Sequence, residues 1–147
     1  MPYFKHLDEF SDITDITFND RKRFAPLDKF SQRILRGSSP FTESEREIFA
    51  AFVSGLNKCD FCYGSHKAVA KNFGVHPELI ESLLEDIESS IIGDKLKPIL
   101  HYIKKLTLTP SKLVQMDAEK VFMAGWSERA LYDAFVFVVY SIFIIAY

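Results

Sequence analysis

"PFTESEREIFAAFVSGLNKCDFCYGSHKAVAKNFG", residues 40–74, contains two helix starts, two helix stops and both cysteines of the chain. "TESE", Thr42–Glu45, is a capping box, with a hydroxyl at the N-cap and a carboxylate three residues on. It predicts a helix with Ile48, Phe49, Phe52, Val53 and Leu56 inward, ended by Asn57, a residue that tolerates the left-handed conformation past a helix end. A second helix is predicted from close to Cys59 and Asp60 to Phe73, with Gly74 as its stop.

The same period continues on both sides. Residues 1–24 read as an irregular arm. Pro26 suits the first position of a helix carrying Leu27, Phe30, Ile34 and Leu35 on one face, and Gly37 suits its C′ stop. Downstream, His76-Pro77 opens a helix with Leu79, Ile80, Leu83, Leu84 and Ile87 apolar, and Asp94 caps one reaching Leu106. Asp117–Ala124 is a short helix closed by Gly125, with Trp126 packing after it, and Ser127 caps a final apolar helix. No clean alternating strand occurs. The expectation is an all-α fold of about seven helices, in a single domain over residues 1–147.

Composition allows one sizeable core. Of the 147 residues 48% are apolar and 14% aromatic, 14 of them Phe, enough to leave apolar surface for subunit contacts. The net charge of −2 is spread through the chain, which argues against a nucleic-acid partner. Arg21–Arg23 reads as solvated charge before a helix. The stretch "MPYFKHLDEFSDITD" has early acids and no apolar h-region, so no signal peptide and a cytoplasmic location are expected. The run Ala134–Tyr147 is apolar all round apart from Ser141. As a helix it spans about 21 Å, short of the roughly 30 Å hydrocarbon core, so it is read as buried or shared with a partner subunit, not as a membrane span.

The cysteines lie where chemistry is expected. A thiol pair in a chain without a secretion signal is more often redox-active or metal-binding than a staple. A helix beginning near Cys59 puts both sulfurs in its first turn, where free backbone N–H groups favour the thiolate. Lys58 adds positive potential and Asp60 subtracts some. Cys59, Cys62 and His66 share one helical stripe, and an imidazole one turn after Cys62 can take its proton. A metal reading, Cys-x2-Cys-x3-His with a further ligand, stays open. It is strained, because Cys59 and His66 lie about 10 Å apart along a helix axis. A pair with no special role also stays open. The spacing favours redox chemistry.

At these residues the chain resembles the alkylhydroperoxidase D-like proteins of the carboxymuconolactone decarboxylase family. Their motif is Glu, eleven residues, Cys-x-x-Cys, three residues, His, and Glu47, Cys59, Cys62 and His66 fit it at every spacing. The likeness is strongest over residues 40–74 and continues through Gly74-Val75 and "AGWSERALYDAFV". It implies an alkylhydroperoxidase D-like helical fold, assembly into trimers or hexamers, and thiol-dependent reduction of hydroperoxides. Carried over, Cys62 attacks the peroxide, Cys59 resolves the sulfenic acid as a disulfide, and His66 with Glu47 forms the proton relay. The implied reductant is a dithiol or a lipoylated protein. No cofactor or metal is implied, and no glycine-rich phosphate loop occurs.

Taken alone, Glu47 in "ESEREIF" reads as solvated charge; the motif makes it a partly buried partner of His66, while Arg46 and Glu45 stay surface residues. Phe61 stands where the best-known peroxidases of the family have a second histidine, so the relay is one member shorter and the likeness is to the peroxidase-related branch. Three other functions stay in competition: a thiol–disulfide exchanger or redox sensor, the lactone decarboxylation of the wider family, which needs no cysteine pair, and a structural oligomer-forming protein. His6, His76 and His101 carry no chemical signal.

Overall fold

Among the described residues (8, 11 and 13–146) the computed structural model has eight α-helices, one short 3-10 turn and no strand. The chain divides into two compact units, Met1–Gly37 and Ser38–Tyr147.

The first unit pairs α1 (Ile13–Asn19) with α2 (Arg21–Arg36). Helix is thus present within the segment expected to be an irregular arm. The reason lies at Asp20, whose side chain accepts from the Arg23 amide and so supplies an N-cap for α2. Pro26 falls inside α2 instead of opening it. As the sixth residue of α2 it lacks the N–H that would bond the Lys22 carbonyl, so the helix is one intrahelical bond short there. Gly37 ends α2 with φ −74°, so it is not a left-handed stop. A Cβ there would come 2.3 Å from the Arg33 carbonyl oxygen, which is why only glycine fits.

The second unit is built around α3 (Glu43–Leu56). Thr42 caps it as expected: its hydroxyl accepts from the Glu45 amide and the Glu45 carboxylate accepts from the Thr42 amide at 2.8 Å. Residues 46–54 of α3 are buried without a break, Arg46 included, so no side of this stretch faces water. Arg46 was expected on the surface; instead its guanidinium Nε donates to the Thr42 carbonyl. Packed against α3 are α4 (Asp60–Asn72), α5 (Pro77–Glu85), α6 (Lys97–Leu108) and α8 (Glu128–Ala146). The 3-10 turn Pro110–Lys112 and α7 (Gln115–Met123) lie against α6.

The core follows from this centre. Phe49, Phe52, Ile80, Leu83, Ile99, Leu100, Ile103, Val121 and Val138 have no exposed surface. Phe49 meets Phe41 edge-to-face at 5.0 Å and Phe137 at 6.3 Å, joining α3 to α8. Gly55 lets α5 approach, since a Cβ there would stand 2.6 Å from a Leu84 methyl. Ser39 donates to Asp133 at 2.7 Å, tying the start of this unit to α8.

Helix ends explain the turns. Gly74 (φ +83°) and Gly125 (φ +82°) take the left-handed conformation after α4 and α7. In each case the next residue, Val75 or Trp126, donates back to the carbonyl five residues before it. Trp126 Nε1 also donates to the Lys95 carbonyl at 2.7 Å, and the Lys95 ammonium lies over its ring. Val114 precedes α7, whose start is capped by Asp117 accepting from the Val114 amide at 2.8 Å. The Lys105 ammonium and that amide hold the Asp117 carboxyl below its usual range. Asp94 does not cap α6; the helix begins three residues later, after a turn, and Asp94 pairs with Lys97 instead. Ser127 accepts from the Ala130 amide as expected of a cap. Among the described residues no helix is long and apolar enough to cross a membrane.

Candidate active site

The link between α3 and α4 positions both sulfurs. Asn57 was expected to take the left-handed turn; it keeps φ −88°, and Lys58 takes it at φ +57°. The Lys58 amide donates to the Gly55 carbonyl and the Cys59 amide to the Ser54 carbonyl, each at 3.0 Å. This is the same closure that Gly74 and Gly125 make, built here on a residue with a Cβ. Cys59 therefore has two backbone duties. Its amide closes α3, and its carbonyl accepts the first bond of α4 from the Tyr63 amide at 2.9 Å.

Cys59 is thus the N-cap of α4, and Cys62 lies three residues into it. Both thiols are free and half-buried, with their sulfurs 2.6 Å apart. Tyr63 packs against Ala51, Ala70 and Ile80, holding the first turn of α4 on α3 and α5. Phe61, between the two cysteines, is 54% exposed.

One turn further, His66 Nδ1 lies 2.7 Å from Glu47 Oε2. The Glu47 side chain is 1% exposed and that of His66 is 23% exposed. The pair expected from the motif spacing is therefore formed, and Glu47 is buried more completely than expected. An ionised carboxylate here accepts from Nδ1–H, which fixes the tautomer and leaves Nε2 to exchange a proton.

One expectation is corrected. Cys62 was expected to ionise easily at a helix N-terminus. Burial, then the hydrogen bond and charge of the Cys59 sulfur, push its thiol up to about 12. The Cys62 backbone N–H pulls the other way, as the helix start requires, and is outweighed. The helix effect is real but smaller than the effect of a second sulfur in contact. In this arrangement Cys62 is held in its protonated form, and the His66 ring stands on the same helix one turn on. The hydrogen bond described for His66 goes to Glu47, not to a sulfur.

The four motif residues thus form two contacting pairs, Cys59–Cys62 at the start of α4 and Glu47–His66 between α3 and α4. Two features of the site escaped sequence reasoning: the left-handed Lys58 and the enclosed Arg46 beside Glu47. The recurrence of a helix stop directly before a helix start, with glycine in two cases and lysine in "NKC", was the available signal for Lys58. Among the described residues no three His, Cys, Asp or Glu side chains are grouped to hold a metal ion.

The carboxymuconolactone decarboxylase family model matches residues 24–97, half of the chain. No curated protein matches it. Among the solved structures similar in fold are two peroxidase-related proteins. One is an uncharacterized peroxidase-related protein from Silicibacter sp. TM1040, 19% identical with a TM-score of 0.79, covering 95% of this chain and 82% of that one. The other is an alkylhydroperoxidase AhpD core, an uncharacterized peroxidase-related protein from Ralstonia eutropha JMP134. It is 14% identical with a TM-score of 0.81, covering 89% of this chain and 69% of that one.

Proposed function

Because this chain belongs to the carboxymuconolactone decarboxylase family, and because its cysteine pair adjoins a buried carboxylate–imidazole pair, we propose that it is a thiol-dependent peroxidase. The names of its structural relatives, both peroxidase-related, agree with this reading.

In the proposed cycle His66 takes the Cys62 proton, and the Cys62 thiolate attacks the terminal oxygen of a hydroperoxide. The O–O bond breaks, the alkoxide leaves with the proton from His66, and Cys62 becomes a sulfenic acid. Cys59, already in contact, attacks that sulfur; water leaves and a disulfide forms. An external dithiol, free or carried as a lipoyl group on a protein, then supplies two electrons and two protons to restore both thiols. A thiol held protonated by its neighbours needs a base close by, and the Glu47–His66 bond is the single observation that carries this reading. Glu47 acts by orienting the ring and stabilising the imidazolium that forms.

The test is hydroperoxide consumption with a dithiol donor. The expected result is turnover that disappears in Cys62→Ser. A second reading rests on the contact of the two free sulfurs: thiol–disulfide exchange or redox sensing with slow peroxide chemistry, in which the pair passes between dithiol and disulfide. A rate with hydroperoxide no better than that of free dithiothreitol would select it.

The protein is further proposed to act as a homo-oligomer, a trimer or hexamer. Tyr132, Phe135, Val139 and Phe143 recur at helical spacing on α8 and are each 44–58% exposed. An apolar stripe of this length on a water-soluble chain marks a contact surface.

A further inference from the structure

We propose that the groove between α6 and α7 binds an amphiphilic organic anion, a medium-chain carboxylate, at a site separate from the thiols. The groove has a volume of about 980 Å³, within the range of small-molecule sites, and none of Glu47, Cys59, Cys62 or His66 lines it.

Its charges do not cancel. Three carboxylates line the groove, and each is already engaged: Asp94 by Lys97 at 2.9 Å, Glu88 by His101 at 2.6 Å, and Asp117 by Lys105 at 2.7 Å. Lys104 and Lys120 also line it; among the described residues neither makes a salt bridge, and each feels a carboxylate only at longer range, Lys104 that of Asp86 and Lys120 that of Asp117. Tyr102, half-buried on the same wall, makes no hydrogen bond among the described residues. Burial, then the Asp117 charge, raises its phenol, so the hydroxyl remains a neutral donor. Four lysine ammoniums against three carboxylates leave one positive charge unmatched in the groove, and the Tyr102 phenol adds a donor. An anionic head supplies what they lack.

The remainder of the groove suits a chain. Leu108 is 50% exposed and Met123 86% exposed, with Pro98 and Ala124 nearby. A flexible thioether at the rim adapts to alkyl ligands of different length. A small inorganic anion would leave this surface uncovered.

The experiment is calorimetric titration of the whole reduced protein with decanoate, decanol and butyrate at low salt, below micelle-forming concentrations. Decanoate is expected to bind saturably at one site per chain, with decanol and butyrate each about tenfold weaker or worse. The K104Q/K120Q double variant is expected to weaken decanoate about tenfold and to leave hydroperoxide turnover unchanged, and added salt is expected to weaken binding. Decanol binding as tightly as decanoate, wild-type affinity in the double variant, or no saturable binding would each overturn the proposal. So would an acidic peptide binding more tightly than decanoate, which would make this face a protein-docking surface. Peroxide turnover in the same samples reports separately on the thiol site.

Discussion

Glu47, sealed inside α3, holds His66 of α4 through a bond of 2.7 Å to the ring nitrogen Nδ1, one helical turn beyond Cys62. A carboxylate is not enclosed in a helical core without a partner, because desolvation without compensation costs several kcal/mol. His66→Asn is expected to lower kcat/KM for hydroperoxide about 10²- to 10⁴-fold, the usual worth of general acid–base catalysis. Glu47→Gln keeps the volume and loses the charge, and about a tenfold loss is expected, with a displaced pH profile. Steady-state kinetics across pH check both. Wild-type turnover in His66→Asn would remove the relay from the mechanism.

Burial and the neighbouring Cys59 sulfur together set the titration of Cys62. Cys62 is raised from 9.0 to about 12, partly by Cys59, so Cys59→Ser is expected to move the alkylation profile of Cys62 to lower pH. Stability follows with a definite sign. A group whose folded pKa is raised contributes stability that is complete below 9.0 and is lost as pH rises toward 12. Wild type is therefore expected to lose stability relative to Cys62→Ser across that alkaline window. Iodoacetamide rates resolved by peptide, and urea midpoints against pH, measure the two effects.

Lys58 occupies a conformation that glycine holds at the two equivalent turns, Gly74 and Gly125. Lys58→Gly is expected to raise stability by about 1 kcal/mol, the relief of the left-handed strain less the added flexibility of the unfolded chain. Gly125→Ala is expected to destabilise by a similar amount. Urea denaturation of the three proteins decides between this account and one in which Lys58 is unstrained.

Much of this architecture was readable before any coordinates. The Thr42 capping box, the Gly74 and Gly125 stops and the Ser127 cap are local devices, each complete within a few residues, and each is present. What failed depends on contacts or competition. Pro26 could open a helix, but Asp20 offers an earlier cap. Arg46 looks like surface in "ESEREIF", yet α3 is the helix that the others surround. The motif spacing located the site residues. It could not give the ionisation of Cys62, which depends first on burial and then on the approach of the Cys59 sulfur.

Phe49 joins α3 to Phe41 and to Phe137 of α8 and is fully buried. Phe49→Ala is expected to cost about 3–5 kcal/mol, more than any single surface change. Chemical denaturation gives the figure, and a loss below about 1 kcal/mol would mean that the core relaxes around the cavity.

The stripe on α8 makes a prediction about mass. Light scattering after gel filtration is expected to show a multiple of the 16.9 kDa chain, and Phe135→Glu with Val139→Glu to move it to smaller species. A wild-type protein running at 16.9 kDa would contradict the proposed assembly.

The most direct test follows the oxygen atom. One equivalent of hydroperoxide is added to wild type, Cys59→Ser and Cys62→Ser, and intact-mass and peptide mass spectrometry locate the products. The expected result is an internal disulfide in wild type, a trappable sulfenic acid on Cys62 in Cys59→Ser, and no rapid oxygen uptake in Cys62→Ser. Rapid oxidation of Cys59 in the protein lacking Cys62, or thiols that survive peroxide in all three, would contradict the account.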